Sequence, residues 1–592
     1  MERIAPPPRS IFTHSVEVRD SQATGTSATI LELVSGPAAQ RRGAAAGEPR
    51  TARLTRSAFS FTPPGSMPTP RPLPTVAALA LWLVCLLVAL PSRAGEPVEK
   101  ARPNILYVLA DDLGRGDLSC YNPSSAWRTP RLDRFAAEGM LFTDAHSASG
   151  VCTPSRYTLL TGRSSWRGKL KAQTLRGYSE SLIEPGRMTV ADFLRNRGYT
   201  TAVFGKWHLG VDWPRTGPHE EDVDLSQPFG GGPLAHGFDR FLGISASLDM
   251  PPYVWLAQDR IVTLPTGQIA DSPLPKYFRG GPISPDFTME GVEPTLIDTA
   301  AEYLTERAAA TDGKPFFLYL PLAAPHTPIV PVQEFVGRTQ STDYGDFIAQ
   351  VDADVGRLLD VLERTGLAPN TLVVFSSDNG FSPAANLPAL EALGHDPSAG
   401  LRGYKTDLYE GGHRVPLVVR WPGQTLAGSR SDQLVCHADL LATCADLLDA
   451  TLPADAAEDS FSMLPLLRGQ AEGTRKSCIM HSSEGRFAIR EGRWKLHLWP
   501  GSGGWSPPTP APSLWLEAPV ADLSQLPPFQ LFDLEADPAE TTNLAAAQPE
   551  IVARLGKLLR AQIDAGRSTP GPAQPVNCAD WPEVAWREQF AP

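Results

Sequence analysis

The chain has 592 residues, of which 42% are hydrophobic and 20% charged, and a formal net charge of −12. This is the make-up of a globular protein long enough for a large domain plus a smaller one. The negative charge is thinly spread and no basic cluster interrupts it, which argues against a nucleic-acid partner.

The first 100 residues stand apart. Residues 1–66 are rich in Arg, Ser, Thr, Pro and Ala without helical or strand periodicity, and read as a disordered or misassigned extension. From Met67 onward an Arg, an apolar run from Val76 to Leu90 and the end Ser92-Arg93-Ala94 follow in order. That is signal-peptide grammar over 67–94, short for a membrane span. It predicts translation from Met67, export outside the cell or to the periplasm, and no stable membrane insertion after cleavage. An uncleaved anchor is the alternative reading.

From residue 103 buried strands alternate with amphipathic stretches. "NILYVLA" (104–110) is a continuous apolar run and predicts a buried strand. In "TPRLDRFAAEG", Thr129 is placed to cap a helix, Pro130 to open it and Gly139 to end it, with Leu132, Phe135 and Ala136 on one face. The strand signal returns in 199–205, 315–322, 371–377 and 415–423, and Ile348, Val351, Val355, Leu358, Leu359 and Leu362 have helical spacing between them. The pattern predicts an α/β fold with a large, mostly parallel sheet flanked by helices.

Near residue 455 the grammar changes. "RFAIREGRWKLHLWP" (486–500) predicts a hairpin turning at Glu491-Gly492, followed by a Pro- and Gly-rich loop over 501–528. "FQLFDLEADP" and a helix presenting Ile551, Leu555, Leu558, Leu559 and Ile563 close the chain. The reading is a catalytic domain over 95–455 and a small C-terminal subdomain over 456–592, with an antiparallel sheet and one helix.

Seven cysteines are present, none with the paired spacing of a structural zinc site. Cys85 lies in the apolar run, leaving Cys120, Cys152, Cys436, Cys444, Cys478 and Cys578; one or two disulfides are open, with connectivity undetermined. Asn-x-Ser/Thr acceptors are absent, because Asn122 is followed by proline.

In a parallel sheet, sites gather beyond the carboxyl ends of the strands. Asp111 and Asp112 follow the first strand directly, and Asp378 and Asn379 follow 371–377 in the same way. Meeting at one edge, they form an oxygen-rich cage for a hard divalent cation, Ca²⁺ before Mg²⁺. Taken singly, each pair reads first as an ordinary turn; taken together at matching strand ends, the cage competes with it. Lys206 and His208 lie two apart beyond another strand and share a face if the segment stays extended. His326 sits between prolines and Lys405 precedes a glycine turn; with Arg156 these groups suit a clamp on an anionic substrate.

Cys152-Thr-Pro-Ser-Arg156, with Thr161-Gly162-Arg163 after it, resembles the C-x-P-S-R signal of the type I sulfatases of the alkaline-phosphatase superfamily, and the resemblance runs from about residue 102 to the C-terminal helix. It implies that a formylglycine-generating maturation enzyme oxidises Cys152 to formylglycine, whose hydrate attacks sulfur with one hydroxyl and releases sulfate with the help of the other. It further implies one calcium ion held by Asp111, Asp112, Asp378, Asn379 and residue 152. Arg156 and Lys206 would hold the hydrate, and His208 would take its proton. Lys405 and His326 would grip the sulfate, with His326 the acid for the leaving alcohol. Ser247 falls where the family places a further polar substrate-binding residue, although "SASLDM" departs from the family pattern there. The implied activity is release of sulfate from an aryl or carbohydrate sulfate ester, a sulfated carbohydrate being the favoured natural substrate. Loops 165–190, 211–235, 247–295 and 381–402 are expected to set specificity. The rivals are a phosphonate monoester or phosphodiester hydrolase of the same superfamily and a catalytically silent binding protein.

Overall fold

The computed structural model describes residues 102–577 and 581–590. The disorder, signal-peptide and start-site readings on 1–94 lie outside the described residues, as does Cys578. Among the described residues no helix is long and apolar enough to cross a membrane.

A ten-stranded sheet organises the chain. Its centre is five strands in parallel: β1 (Asn104–Ala110), β2 (Thr200–Lys206), β3 (Phe316–Pro321), β4 (Thr371–Ser377) and the strand Arg240–Ile244, in spatial order β4-β1-β3-β2 and then 240–244. The register pairs Ala110 with Ser377, so Asp111 and Asp378 leave the sheet side by side. Both faces are covered. Leu106, Val108 and Ala110 pack into one core with Leu132, Phe135, Leu296 and Ile348; Ile105, Tyr107 and Leu109 pack into the other with Tyr157, Leu160 and Phe193. Burial on both faces is the reason β1 reads as an unbroken apolar run rather than an alternating one.

Helix α1 (Pro130–Glu138) has the expected Pro and Gly at its ends. Thr129 occupies the cap position without capping: its Oγ1 accepts from the Ser119 amide at 3.0 Å instead. Helix α2 (Cys152–Thr161) is buried along its whole length. Helices α3 (Val292–Ala309) and α4 (Asp343–Arg364) cover the first core, and the apolar spacing of 348–362 lies within α4.

The segment read as a strand over 415–423 forms β5 (Leu417–Arg420), but antiparallel to β4. After β4 the chain does not cross the sheet. It builds residues 378–416 at the carboxyl edge and re-enters from there, so it must run the opposite way.

A four-stranded antiparallel sheet follows, with β6 (Ser477–His481), β7 (Phe487–Glu491), β8 (Trp494–His497) and β9 (Gln530–Asp533) in order. Helix α5 (Pro549–Asp564) packs on it through Val552, Leu555, Leu559 and Ile563, while Ile551 and Leu558 are only half-buried. Pairing of Glu491 with Trp494 makes Gly492-Arg493 the two-residue turn, one position later than read, with Gly492 at φ 57°. Met463, Leu464, Leu466 and Leu467 still pack in a core of the large sheet, so residue 455 falls ahead of the small sheet's start.

On α3, Glu293 accepts from the Ala323 amide at 3.2 Å and so steadies the turn after β3. Burial, reinforced by Asp354, pushes its carboxyl up from 4.5 to about 8. The folded chain therefore keeps a proton that the unfolded chain loses, and stability falls as pH rises from about 4.5 to about 8. Glu293→Gln is expected to remove this contribution, at most ~1.4 kcal/mol per pH unit, read from urea midpoints across that range.

Candidate active site

The parallel strands end at one edge, and the charged groups collect there. Asp111 follows β1; Asp112, at φ 64°, turns the chain back; Asp378 and Asn379 follow β4; Lys206 is the last residue of β2. Lys206 Nζ lies 2.5 Å from Asp111 Oδ2 and Lys405 Nζ 2.7 Å from Asp112 Oδ2. The Arg156 guanidinium, carried on the first turn of α2, donates from Nε to Asp378 Oδ2 at 2.9 Å and from Nη1 to the Lys206 carbonyl at 2.8 Å; its Nη2 is 3.6 Å from Asp111 Oδ1. Asn379 Nδ2 donates to Asp112 Oδ1 at 2.7 Å, and the Asp112 amide to Asp378 Oδ1 at 3.2 Å.

Burial alone would raise the Asp111 carboxyl, but the charges of Lys206, His326 and Arg156 outweigh it and hold the group low. Asp112 is likewise lowered against burial by Lys405 and His326. Lys405 and Arg156 are raised in turn, against burial, by Asp112 and by Asp378 respectively. The floor of the site is therefore ionised on both sides. Cys152 opens α2, where burial pushes its thiol up to about 12 despite Lys206 and Lys405. As an unmodified thiol it is a poor nucleophile at neutral pH.

His208 is not extended from Lys206 as read: it stands at φ 55°. Its Nε2 pairs with the Leu175 carbonyl at 2.9 Å, which assigns the proton to Nε2 and leaves Nδ1 buried without a partner. Burial, then Lys206 and Arg156, keep the ring well below its ordinary pKa, hence neutral. His326 Nδ1 pairs with the Thr327 carbonyl at 2.7 Å, so Nε2 faces Asp112 Oδ2 at 3.5 Å. Ser247 is buried with Oγ unpartnered.

Ligating atoms of Asp111, Asp112, Cys152 and His326 lie within 4.8 Å of one another. Asp378 and Asn379 join this set through their bonds to Asp112. Asp111 Oδ1 and Asn379 Oδ1 are buried without a hydrogen-bond donor. Orphaned oxygens beside ionised carboxylates fit a hard divalent cation.

Above this floor a cleft of about 230 Å³ opens over Cys152, His208, Ser247, His326 and Lys405. Three of the four expected loops reach it, through Gln173 and Thr174, through Asp249, Tyr277 and Arg279, and through Ser382 and Ala384. The loop 211–235 contributes no lining residue. The sequence reading missed Asp249, Arg279, Glu484, Trp505 and Trp515. The last two come from the Pro- and Gly-rich loop of the C-terminal part, where tryptophans among turn residues were the only signal. Asp249 pairs with Arg279, and the Trp515 ring meets Tyr277 at 5.2 Å and Trp505 at 6.1 Å.

Buried cations facing a small cleft at the sheet's carboxyl edge are the arrangement of an enzyme that acts on a tetrahedral oxyanion. A family model described as Sulfatase matches residues 103–450. Over 511 residues the chain is 33% identical to N-acetylgalactosamine-6-O-sulfatase of Bacteroides thetaiotaomicron, covering 80% of this chain and 96% of that one. It is 36% identical to human arylsulfatase A over 507 residues, 83% of this chain and 93% of the relative. A solved structure from the glycosaminoglycan-metabolism locus of B. thetaiotaomicron superposes with a TM-score of 0.68 at 31% identity, covering 78% of this chain and 99% of its own. The chain belongs to the sulfatase family and is a sulfatase, an enzyme of sulfate ester hydrolysis.

Arg156→Ala removes the partner of Asp378 from a fully buried pair, and should cost about 3–5 kcal/mol. Arg156→Lys should recover only part of this, because an ammonium cannot make the same fork of bonds. Chemical denaturation of the two variants checks both.

Proposed function

We propose that the protein hydrolyses carbohydrate sulfate esters, with aryl sulfates as surrogates, through a formylglycine made from Cys152 and one calcium ion. The observation that carries this reading is the burial of Arg156, Lys206 and Lys405 against Asp111, Asp112 and Asp378, around the side chain of Cys152.

Asp111, Asp112, Asp378, Asn379 and residue 152 would hold the cation, which supplies Lewis-acid stabilisation of oxyanion charge when bound. The modified residue supplies a hydroxyl nucleophile that neither cysteine nor serine offers in a form able to release sulfate again. Arg156 and Lys206 orient residue 152 and balance negative charge there. His208 Nδ1, unprotonated and unpartnered, takes the hydroxyl proton. Lys405 Nζ pairs with a nonbridging sulfate oxygen, and His326 Nε2 delivers a proton to the bridging oxygen of the leaving alcohol. Ser247 Oγ stands free to bond the substrate.

The carbohydrate preference is supported by the names of the relatives, among them an N-acetylgalactosamine-6-O-sulfatase. It is also supported by the cleft walls, where Asp249 Oδ1 is buried without a donor beside the rings of Tyr277, Trp505 and Trp515. Acceptors for hydroxyls next to aromatic faces suit a pyranose. Export from the cell, with the maturation enzyme as partner, completes the reading; it rests on the 67–94 segment and is tested by sequencing the N-terminus of the mature protein.

The mass of the Cys152 peptide is the primary test: a formylglycine mass is expected, and an unmodified thiol in fully active protein would overturn the mechanism. Cys152→Ser should fold and lose at least ~10³-fold in steady-state turnover. Removal of the cation by a chelator should abolish turnover and lower the Tm, and calcium should restore both. Cleavage of aryl sulfates with refusal of every sulfated saccharide would remove the carbohydrate assignment.

A further inference from the structure

Two thiols away from the cleft are held together by a built environment. Cys436 ends the short strand Val435–Cys436, and Cys478 is the second residue of β6. They share one small buried cluster with Ala148, Leu408, Met480 and Ala488, at 4% and 2% exposure respectively. Both are free thiols, and the Cys478 Sγ donates to the Ile479 carbonyl at 3.9 Å.

The backbones on both sides are braced by a single ion pair. Asp439 Oδ2 accepts from the Cys436 amide at 2.9 Å and from Arg475 Nε at 3.0 Å, while Arg475 Nη1 donates to the Ser477 carbonyl at 3.0 Å. A second tie crosses from the other side. Cys478 faces Arg490 across the β6–β7 pair, Arg490 Nη1 reaches His146 Nε2 at 3.1 Å, and His146 pairs with Cys436 in the short parallel ladder. The Cys436 thiol is lowered, chiefly by the Cys478 side chain and then by the charge of Arg475, whereas the Cys478 thiol is raised.

We propose that Cys436 and Cys478 are joined by a disulfide in the mature enzyme. The oxidant is a protein or small-molecule disulfide, of the kind that thiol oxidoreductases of an oxidising compartment carry. The Cys436 thiolate attacks one sulfur of that disulfide and expels the other as a thiolate. Cys478 then gives up its proton and attacks the Cys436 sulfur, expelling the second thiolate. The two electrons and two protons lost by the pair reduce the oxidant's disulfide to two thiols. Since both sulfurs are buried, the exchange takes place while the chain folds.

The bond would tie together two parts that meet at the active site. Cys436 precedes His437, whose Nε2 pairs at 2.8 Å with Ser376 Oγ on β4, two residues before Asp378. Beyond Cys478 the chain continues through β6 to Ser483 and Glu484 on the wall of the cleft. The proposal is independent of the chemistry assigned to residue 152.

The test is peptide mapping of the full-length protein, recovered from the periplasm or medium and alkylated under denaturing conditions without reductant. The expected result is a linked pair of peptides holding residues 436 and 478, two hydrogens lighter than their sum and separating on reduction. Two singly alkylated peptides, or linkage of either residue to another cysteine, would overturn it. Where the protein is recovered only from the cytosol, refolding with oxidised glutathione supplies the oxidant, and failure to link there overturns it equally. Cys478→Ser should lower the Tm by about 5 °C in non-reducing buffer and leave it unchanged relative to reduced wild type.

Discussion

Three cations, Arg156, Lys206 and Lys405, stand buried against three carboxylates, and neither set could be held there without the other. Removing one member leaves a charge in a medium that cannot solvate it, at a cost that is a large share of a domain's stability margin. The sheet solves this problem by geometry. Five parallel strands deliver their carboxyl ends to one edge, and the β1–β4 register brings Asp111 and Asp378 out together. Arg156 meets both from α2, and Lys405 approaches from the segment that leads back into β5. The balance is close without being saturated, because Asp111 Oδ1 and Asn379 Oδ1 remain without donors. That residual demand is what the proposed cation would meet.

The same electrostatics divides labour between the two imidazoles. His208 has its Nε2 committed to a backbone carbonyl, and burial, then the charges of Lys206 and Arg156, keep Nδ1 free of a proton. His326 has its Nδ1 committed instead and turns Nε2 toward Asp112 Oδ2 at 3.5 Å. Two residues of one type are thus turned opposite ways by what surrounds them, which is what the proposed division into base and acid draws on.

Much of this was legible before any coordinates. The unbroken apolar runs of β1, β3 and β4 announce strands buried on both faces, and aspartates directly after two of them can only emerge at the edge. The Cys152–Arg156 motif named the family, and in the structure Cys152, His208, Ser247, His326 and Lys405 line one cleft beside the Asp111, Asp112 and Asp378 carboxylates. What escaped had physical causes. The direction of β5 is set by where the preceding loop begins and ends, which local sequence does not encode. The left-handed turn at His208 reverses an inference that assumed extended backbone. Trp505 and Trp515 are remote in sequence from the motif, in a stretch without periodicity, and only tertiary packing carries them to the cleft.

Lys405 is pinned independently of the loop that precedes it. Its amide bonds the Phe381 carbonyl at 2.8 Å, next to the end of β4, and the following Thr406 amide bonds the Gly150 carbonyl at 2.7 Å, just ahead of α2. The chain between Phe381 and Lys405 is therefore a closed excursion whose two ends already touch. Its exposed stretch over 391–394 can change without moving the ammonium, while Leu387, Leu390 and His395, the last bonded to Asp117 at 2.9 Å, tie the rest to the core. A lineage could vary that stretch while inheriting the reaction centre it loops away from.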